Sequence, residues 1–265
     1  MQFRRIGSIA LHFRHIPARG GKPLIAFINS LGTDFRIWEA VSGQFADHPV
    51  LLYDKRGHGL SDIGHPPYLI EDHVDDLCGL VDHIGASEVV LCGVSVGGLI
   101  AQGFAARRPE AVRALILCDT AHKIGTAEFW DTRISAVHDH GIEAIADSVL
   151  ERWFTPPLRA DAARLSGYRN MLIRQPVEGY AGTCAAVRDA DYTEAARRIT
   201  APALCLVGDQ DGSTPPDLVR SLAALIPNSR FEIIAGAGHI PSIEQPAALT
   251  ELIREFLAGI GKAGA

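Results

Sequence analysis

Residues 88–109 read EVVLCGVSVGGLIAQGFAARRP, and the architecture turns on how this stretch is divided. Its span 89–106 carries no charge and reaches the length of a short membrane helix. Gly93, Gly97, Gly98 and Gly103 around Ser95 argue against a membrane span. They divide the stretch into a strand (88–94), a sharp turn, and a helix (96–109) that ends near Arg107, Arg108 and Pro109. The turn, Gly93-Val94-Ser95-Val96-Gly97, matches the G-x-S-x-G nucleophile elbow. A serine on so tight a turn sits in strained backbone, and its small neighbours let strand and helix approach closely. Its hydroxyl then projects above the sheet at the positive end of the following helix.

Similar apolar runs recur on either side: PLIAFIN (23–29), PVLLYD (49–54), VRALILCD (112–119) and ALCLVGD (203–209), with FEIIAG (231–236) as a further strand. Runs apolar on both faces suit central strands of a parallel sheet buried above and below. Stretches with helical spacing, such as IEDHVDDLCGLVDHIG (70–85), lie between them. The alternation predicts an α/β fold with a mostly parallel central sheet flanked by helices. FRRIG and ALHFRH alternate instead, which suits an exposed antiparallel hairpin at the sheet edge. After Asp119 the rhythm stops. Helix-favouring stretches (TAEFWDTRISAVHDHG, IEAIADSVLERWF, DYTEAARRI) punctuated by Pro156, Pro157, Pro176 and Pro202 replace the strands. The expected organisation is a core over 1–119, a helical cap over 120–200 covering the end where the catalytic loops emerge, and the rest of the core over 201–265.

Composition agrees with this organisation. At 265 residues the chain fits one large domain with an inserted subdomain, and its 47% hydrophobic content excludes disorder. A formal charge of −6 argues against a nucleic-acid or anionic-membrane partner, either of which needs a basic stripe. Cys78, Cys92, Cys118, Cys184 and Cys205 are odd in number and lack C-x-x-C spacing, which points to a reducing, cytoplasmic compartment. The opening MQFRRIGSIALHFRH is charged too early and too often for a signal peptide.

A serine hydroxyl of ordinary pKa needs a positioned base, and the base needs an orienting carboxylate. Among the eleven histidines, His239 lies in the Gly-rich loop GAGHIPSIEQP just after the last strand, which places it where the elbow opens. His12, His15 and His48 fall in early surface segments and His73, His83, His138 and His140 on helices, where polar-face positions are expected; His58 and His122 follow strands closely enough to line a pocket. Asp211 in GDQDGSTPP is the favoured orienter, giving the chain order Ser…Asp…His. Asp209 fits a turn cap, and Asp119 is a substitute carboxylate. The tetrahedral oxyanion needs two backbone N–H donors, expected from Val96 and from Leu31 in the loop Asn29-Ser30-Leu31-Gly32-Thr33, with the Ser30 hydroxyl able to add a hydrogen bond.

In order and spacing, Asp54-Lys55-Arg56-Gly57-His58-Gly59-Leu60-Ser61, the elbow, Gly208-Asp209-Gln210-Asp211 with Thr214-Pro215, and Gly238-His239 together resemble the α/β-hydrolase fold family over essentially the whole chain. In that family the Asp54–Ser61 segment is structural. Most members carry His-Gly where this chain has Asn29-Ser30-Leu31-Gly32-Thr33. That departure, with Trp38, is similar to the 3-oxoadipate enol-lactonase branch. So are the cap stretches from Thr120 through Gly125, Phe129-Trp130-Asp131-Thr132-Arg133, and Glu151-Arg152-Trp153-Phe154-Thr155-Pro156.

The resemblance implies opening of 3-oxoadipate enol-lactone in aromatic-acid catabolism through an acyl-enzyme, with no metal or organic cofactor. The substrate is a small carboxylated lactone. Its carboxylate favours the planar fork of an arginine, with Arg133 leading and Lys123 or Arg152 as alternatives. Trp130 and Trp153 would exclude water and shape the pocket. The competing functions are a carboxylesterase, a carbon–carbon bond hydrolase of ring-cleavage products, a cofactor-free perhydrolase, or a ligand-sensing receptor that keeps the triad.

Overall fold

The computed structural model describes residues 1–18 and 20–262. Eight strands form one sheet: β1 (Gln2–Ile6), β2 (Ile9–Ile16), β3 (Leu24–Ile28), β4 (Val50–Tyr53), β5 (Val89–Val94), β6 (Val112–Cys118), β7 (Ala203–Gly208) and β8 (Ser229–Ile234). Their spatial order is β1-β2-β4-β3-β5-β6-β7-β8; β1 and β2 are antiparallel, β2 meets β4 antiparallel, and the remaining pairs are parallel. The apolar runs explain the placement. β3, β4, β5 and β7 are buried at every position because both faces are covered, whereas β1 is exposed over most of its length at the sheet edge.

After β3 the chain steps outward to β4, then returns to the other side of β3 as β5. That reversal opens a crevice beyond the carboxyl ends of β3 and β5, the usual ligand site of an open parallel sheet. The loop Asn29–Thr33 and the Ser95 turn therefore emerge side by side.

Two boundaries differ from expectation for local reasons. The helix after the elbow is Val96–Arg107 and stops short of 109, because Pro109 disfavours helical backbone at Arg108, which sits at φ −133° and ψ 59°. β8 begins at Ser229 and ends at Ile234 rather than spanning 231–236, because Gly236 turns the chain at φ +68°.

Between β6 and β7 lie helices Ala127–His140, Glu143–Trp153, Pro156–Ala160, Ala162–Ile173, Val177–Asp189 and Thr193–Ala196. Ala162–Ile173 and Val177–Asp189 give no clear helical signature in sequence. Val177–Asp189 is buried over almost its whole length, so it shows no polar stripe, and its Gly179 and Gly182 depress helix propensity. Those glycines are there for contact: a methyl on Gly179 would strike the Gly57 backbone, and one on Gly182 the Tyr68 ring. Among the described residues no helix is long and apolar enough to cross a membrane.

Candidate active site

Ser95 is held at φ 60°, ψ −121°, a backbone conformation rarely adopted by side-chain-bearing residues. The flanking glycines make it possible, since a Cβ on Gly93 would collide with the Gly97 backbone and one on Gly97 with the Ile28 carbonyl of β3. Ser95 N–H donates to the Cys118 carbonyl at 3.0 Å and Thr120 Oγ1 to the Ser95 carbonyl at 2.7 Å, so the turn is clamped from β6.

His239 is buried in the loop after β8, and its Nδ1 lies 2.9 and 3.0 Å from the two Asp211 carboxylate oxygens. Asp211 also accepts from Ser213 N–H (2.7 Å), Thr214 N–H (3.1 Å) and Thr214 Oγ1 (2.6 Å). Burial pushes its pKa upward, but attraction to His239 and this ring of hydrogen bonds outweigh it and hold the carboxyl below its ordinary range. Asp211 is therefore a charged anchor. It leaves His239 Nε2 as the ring atom available to the cavity.

Asp119, weighed as a substitute, ends up beside this pair in a different state. It accepts from Gly208 N–H at 2.9 Å, and burial together with the Asp211 charge drives its pKa well above the carboxylate range. Asp209 ties two loops together, accepting from Gly236 N–H at 2.9 Å and Ala237 N–H at 3.2 Å. Asp119, Asp211 and His239 each present one ligand-type atom within 4.8 Å of the others, the only metal-compatible cluster among the described residues. With His239 Nδ1 already bound to Asp211, and Asp119 favouring its proton, the donor set suits a hydrogen-bonded unit better than a cation.

A cavity of about 240 Å³ collects Ser95, His239, Ser30, Leu31 and Val96 on its floor, under Phe129, Trp130, Arg133, Arg152, Trp153 and Tyr180 from the helices above. Among the described residues neither Leu31 N–H nor Val96 N–H has an acceptor; Val96 is the first residue of its helix, where amides are unpaired by geometry. Ser30 Oγ is buried against the cavity and also lacks a partner among the described residues. Polar groups left open at one spot are what an oxygen-bearing ligand would complete.

Two arginines, Arg133 and Arg152, make part of the cavity wall cationic. The Arg133 guanidinium lies 4.8 Å from the Phe129 ring centre and 5.2 Å from that of Trp130, with Nη1 3.5 Å from the Tyr180 hydroxyl. Arg152 lies 5.5 Å from the Phe129 ring. Among the described residues neither arginine forms an ion pair with a carboxylate, and burial, then repulsion from Arg133, lowers the Arg152 pKa.

Lys123, expected as an alternative anchor, does not reach the cavity. Its side chain is 51% exposed and pairs with Asp191 at 3.2 Å. Three histidines expected on polar surfaces are buried: His12 meets Asp54 at 2.8 Å, His48 meets the Pro23 carbonyl at 3.0 Å, and His73 packs edge-on to Tyr68. His58 lies behind the cavity wall, accepting from Gly32 N–H, and His122 pairs with Thr193 Oγ1 at 2.8 Å. Tyr180 escaped sequence reading because its helix did, and Glu244 because nothing in the sequence links it to Thr155 N–H, 3.0 Å away.

The family profile of the alpha/beta hydrolase fold matches residues 23–246. The chain is 35% identical over 252 residues to 3-oxoadipate enol-lactonase 2 of Acinetobacter baylyi, covering 94% of each protein. Its structure is similar to the enol-lactonase of Burkholderia xenovorans LB400 (TM-score 0.93, 35% identity, 97% of this chain and 100% of that one). It is also similar to a thermophilic esterase of Thermogutta terrifontis solved with malate bound (TM-score 0.91, 29% identity, 98% and 99%).

Proposed function

Because the chain belongs to the α/β-hydrolase fold family, we propose that it is a serine hydrolase that opens 3-oxoadipate enol-lactone, a step of aromatic-acid breakdown. The observation that carries this reading is the pair of carboxylate-free arginines in the same cavity as Ser95 and His239. A guanidinium without a counter-ion in a half-buried apolar wall favours an anionic ligand, and an anion held there lies in the cavity that Ser95 and His239 also line. Trp130 and Trp153 close the sides to a small ring.

In the proposed reaction, Ser95 Oγ adds to the lactone carbonyl while its proton passes to His239 Nε2, and Asp211 stabilises the imidazolium through Nδ1. The oxyanion accepts from Leu31 and Val96 N–H. Collapse breaks the ring C–O bond, and the enol oxygen leaves with the proton from His239. Water, deprotonated by the same imidazole, then releases the acyl group from Ser95. Tautomerisation of the enol to the ketone disfavours ring closure. The five buried, unpaired thiols support a reducing, cytoplasmic setting.

A second reading, a carboxylesterase for esters of small carboxylic acids, draws on the likeness to the malate-bound esterase. Freshly generated enol-lactone separates the two. Loss of its ultraviolet absorbance at an enzyme-dependent rate, abolished in Ser95→Ala, is expected. Turnover of small carboxylated esters with an inert lactone would replace the first reading by the second.

A further inference from the structure

Lys55 follows β4 within the charged stretch Asp54-Lys55-Arg56, yet its side chain is wholly buried at 0% exposure. Its ammonium donates to the Ser30 carbonyl at 2.7 Å, the one hydrogen bond it makes among the described residues. That carbonyl shares a peptide unit with Leu31 N–H, one of the two free amides on the cavity floor. In a trans peptide C=O and N–H point in opposite directions, so a donor fixed behind the oxygen aims the amide hydrogen away from itself, and Leu31 lines the same cavity as Ser95. A cation there also draws electron density from the peptide and makes its N–H a stronger donor.

The neighbouring bonds fix the same loop. Ser30 O accepts from Thr33 Oγ1 at 2.9 Å and Thr33 N–H at 3.3 Å, and Gly32 N–H donates to His58 Nε2 at 3.0 Å. The Ser30 carbonyl is therefore satisfied without Lys55. Burying an ammonium with one hydrogen bond is costly to the fold, and a well-packed apolar residue of similar volume often serves stability as well or better. A group that costs stability and meets no structural need fits a role in function.

We propose that Lys55 is a positioning residue for hydrolysis, locking and polarising the Ser30–Leu31 peptide whose N–H receives the oxyanion. This rests on the serine-hydrolase reading above. Burial lowers the Lys55 pKa to about 7, against the raising effect of Asp54 and Asp34; the other titratable groups near it are His58 and His73, both buried and held neutral. Protonated, the amine supplies charge to the peptide; deprotonated, it keeps only a weak hydrogen bond. Hydrolysis therefore gains a falling limb on the alkaline side of neutrality.

The test compares wild type, Lys55→Met and Lys55→Gln on phenyl acetate, a neutral ester that needs the oxyanion donors and not the arginines. It also measures affinity for phenylboronic acid, which forms a tetrahedral adduct on serine. For Lys55→Met we expect kcat to fall by about 10- to 100-fold with KM little changed, boronate affinity to fall by the same factor, and the alkaline limb to vanish. The thermal midpoint should hold or rise, and Lys55→Gln, a neutral donor, should fall between. Wild-type kcat and boronate affinity in Lys55→Met, or losses matched by a lower midpoint and a proportionate rise in KM, would overturn the proposal. If neither variant folds, the wild-type profile decides: no decline in kcat/KM above neutrality refutes it. Ser95→Ala hydrolysing phenyl acetate at the wild-type rate would sink the serine-hydrolase reading itself, whatever Lys55 does.

Discussion

Arg133 and Arg152 line the same cavity as Ser95, each over the Phe129 ring and without acidic partners among the described residues. A hydrogen bond to a charged group contributes about 1.5–3 kcal/mol, so removing either guanidinium is expected to raise KM for the carboxylated lactone by about 10- to 100-fold. Hydrolysis of phenyl acetate should change little, and steady-state kinetics on both substrates checks the split. Equal losses would mean the arginines support the packing of their own helices rather than hold a carboxylate. At this scale the sequence was unevenly legible. The turns at Ser95, Asp211 and His239 are each marked by closely spaced glycines, at 93 and 97, 208 and 212, and 236 and 238. Lys123 and Lys55 mislead in opposite directions. The first is expected to anchor a carboxylate and instead faces solvent, while the second lies wholly buried in a segment expected to be structural alone. Short-range charge pattern cannot register which side chain a crossing strand will cover.

The elbow ties β5 to its helix through two glycines that leave no room for a methyl. Gly97→Ala would drive Cβ against the Ile28 carbonyl, and both neighbours are main chain with nowhere to retreat. Overpacking of this kind typically costs about 1–3 kcal/mol. A lower urea midpoint with an unchanged m-value is the expected outcome, and a midpoint equal to wild type would show that β3 yields. The core strands were readable to within about two residues because burial on both faces leaves an unbroken apolar run, which few other structures produce. A helix with one side in water, such as Ile70–Ile84, shows its stripe, and the buried helix Val96–Arg107 is legible from the elbow before it and from Arg107, Arg108 and Pro109 at its end. Val177–Asp189 is enclosed by Gly57, Tyr68 and helix Ala127–His140, so the polar stripe that marks a surface helix has no reason to exist.

Across the whole molecule, Asp119 after β6 holds the end of β7 through Gly208 and lies beside Asp211, and its raised pKa makes folding depend on pH. A carboxyl whose folded pKa exceeds the ordinary 3.8 contributes stability fully below that value and loses it as pH rises through the folded pKa. Asp119→Asn keeps an acceptor for Gly208 N–H and places a permanent N–H donor beside Asp211. The variant should match wild type near pH 4 and become progressively more stable as pH rises. Each kcal/mol of relief raises the thermal midpoint by about 2–4 °C. A difference between the two proteins that does not vary with pH would mean Asp119 carries no retained proton.

His239 N–H donates to the Trp153 carbonyl at 2.8 Å, and Gly212 N–H to the Arg152 carbonyl at 3.3 Å. Glu244 joins the same seam, taking Gly238 N–H at 2.7 Å through one oxygen and Thr155 Oγ1 at 2.6 Å through the other. The end of Glu143–Trp153 is thus riveted to the two loops that carry Asp211 and His239. Any chimera that transplants the insert from a relative must carry residues 152–155 with their mates at 212 and 238–244. A graft cut at the strand ends alone would arrive with its stitching undone and leave the imidazole adrift.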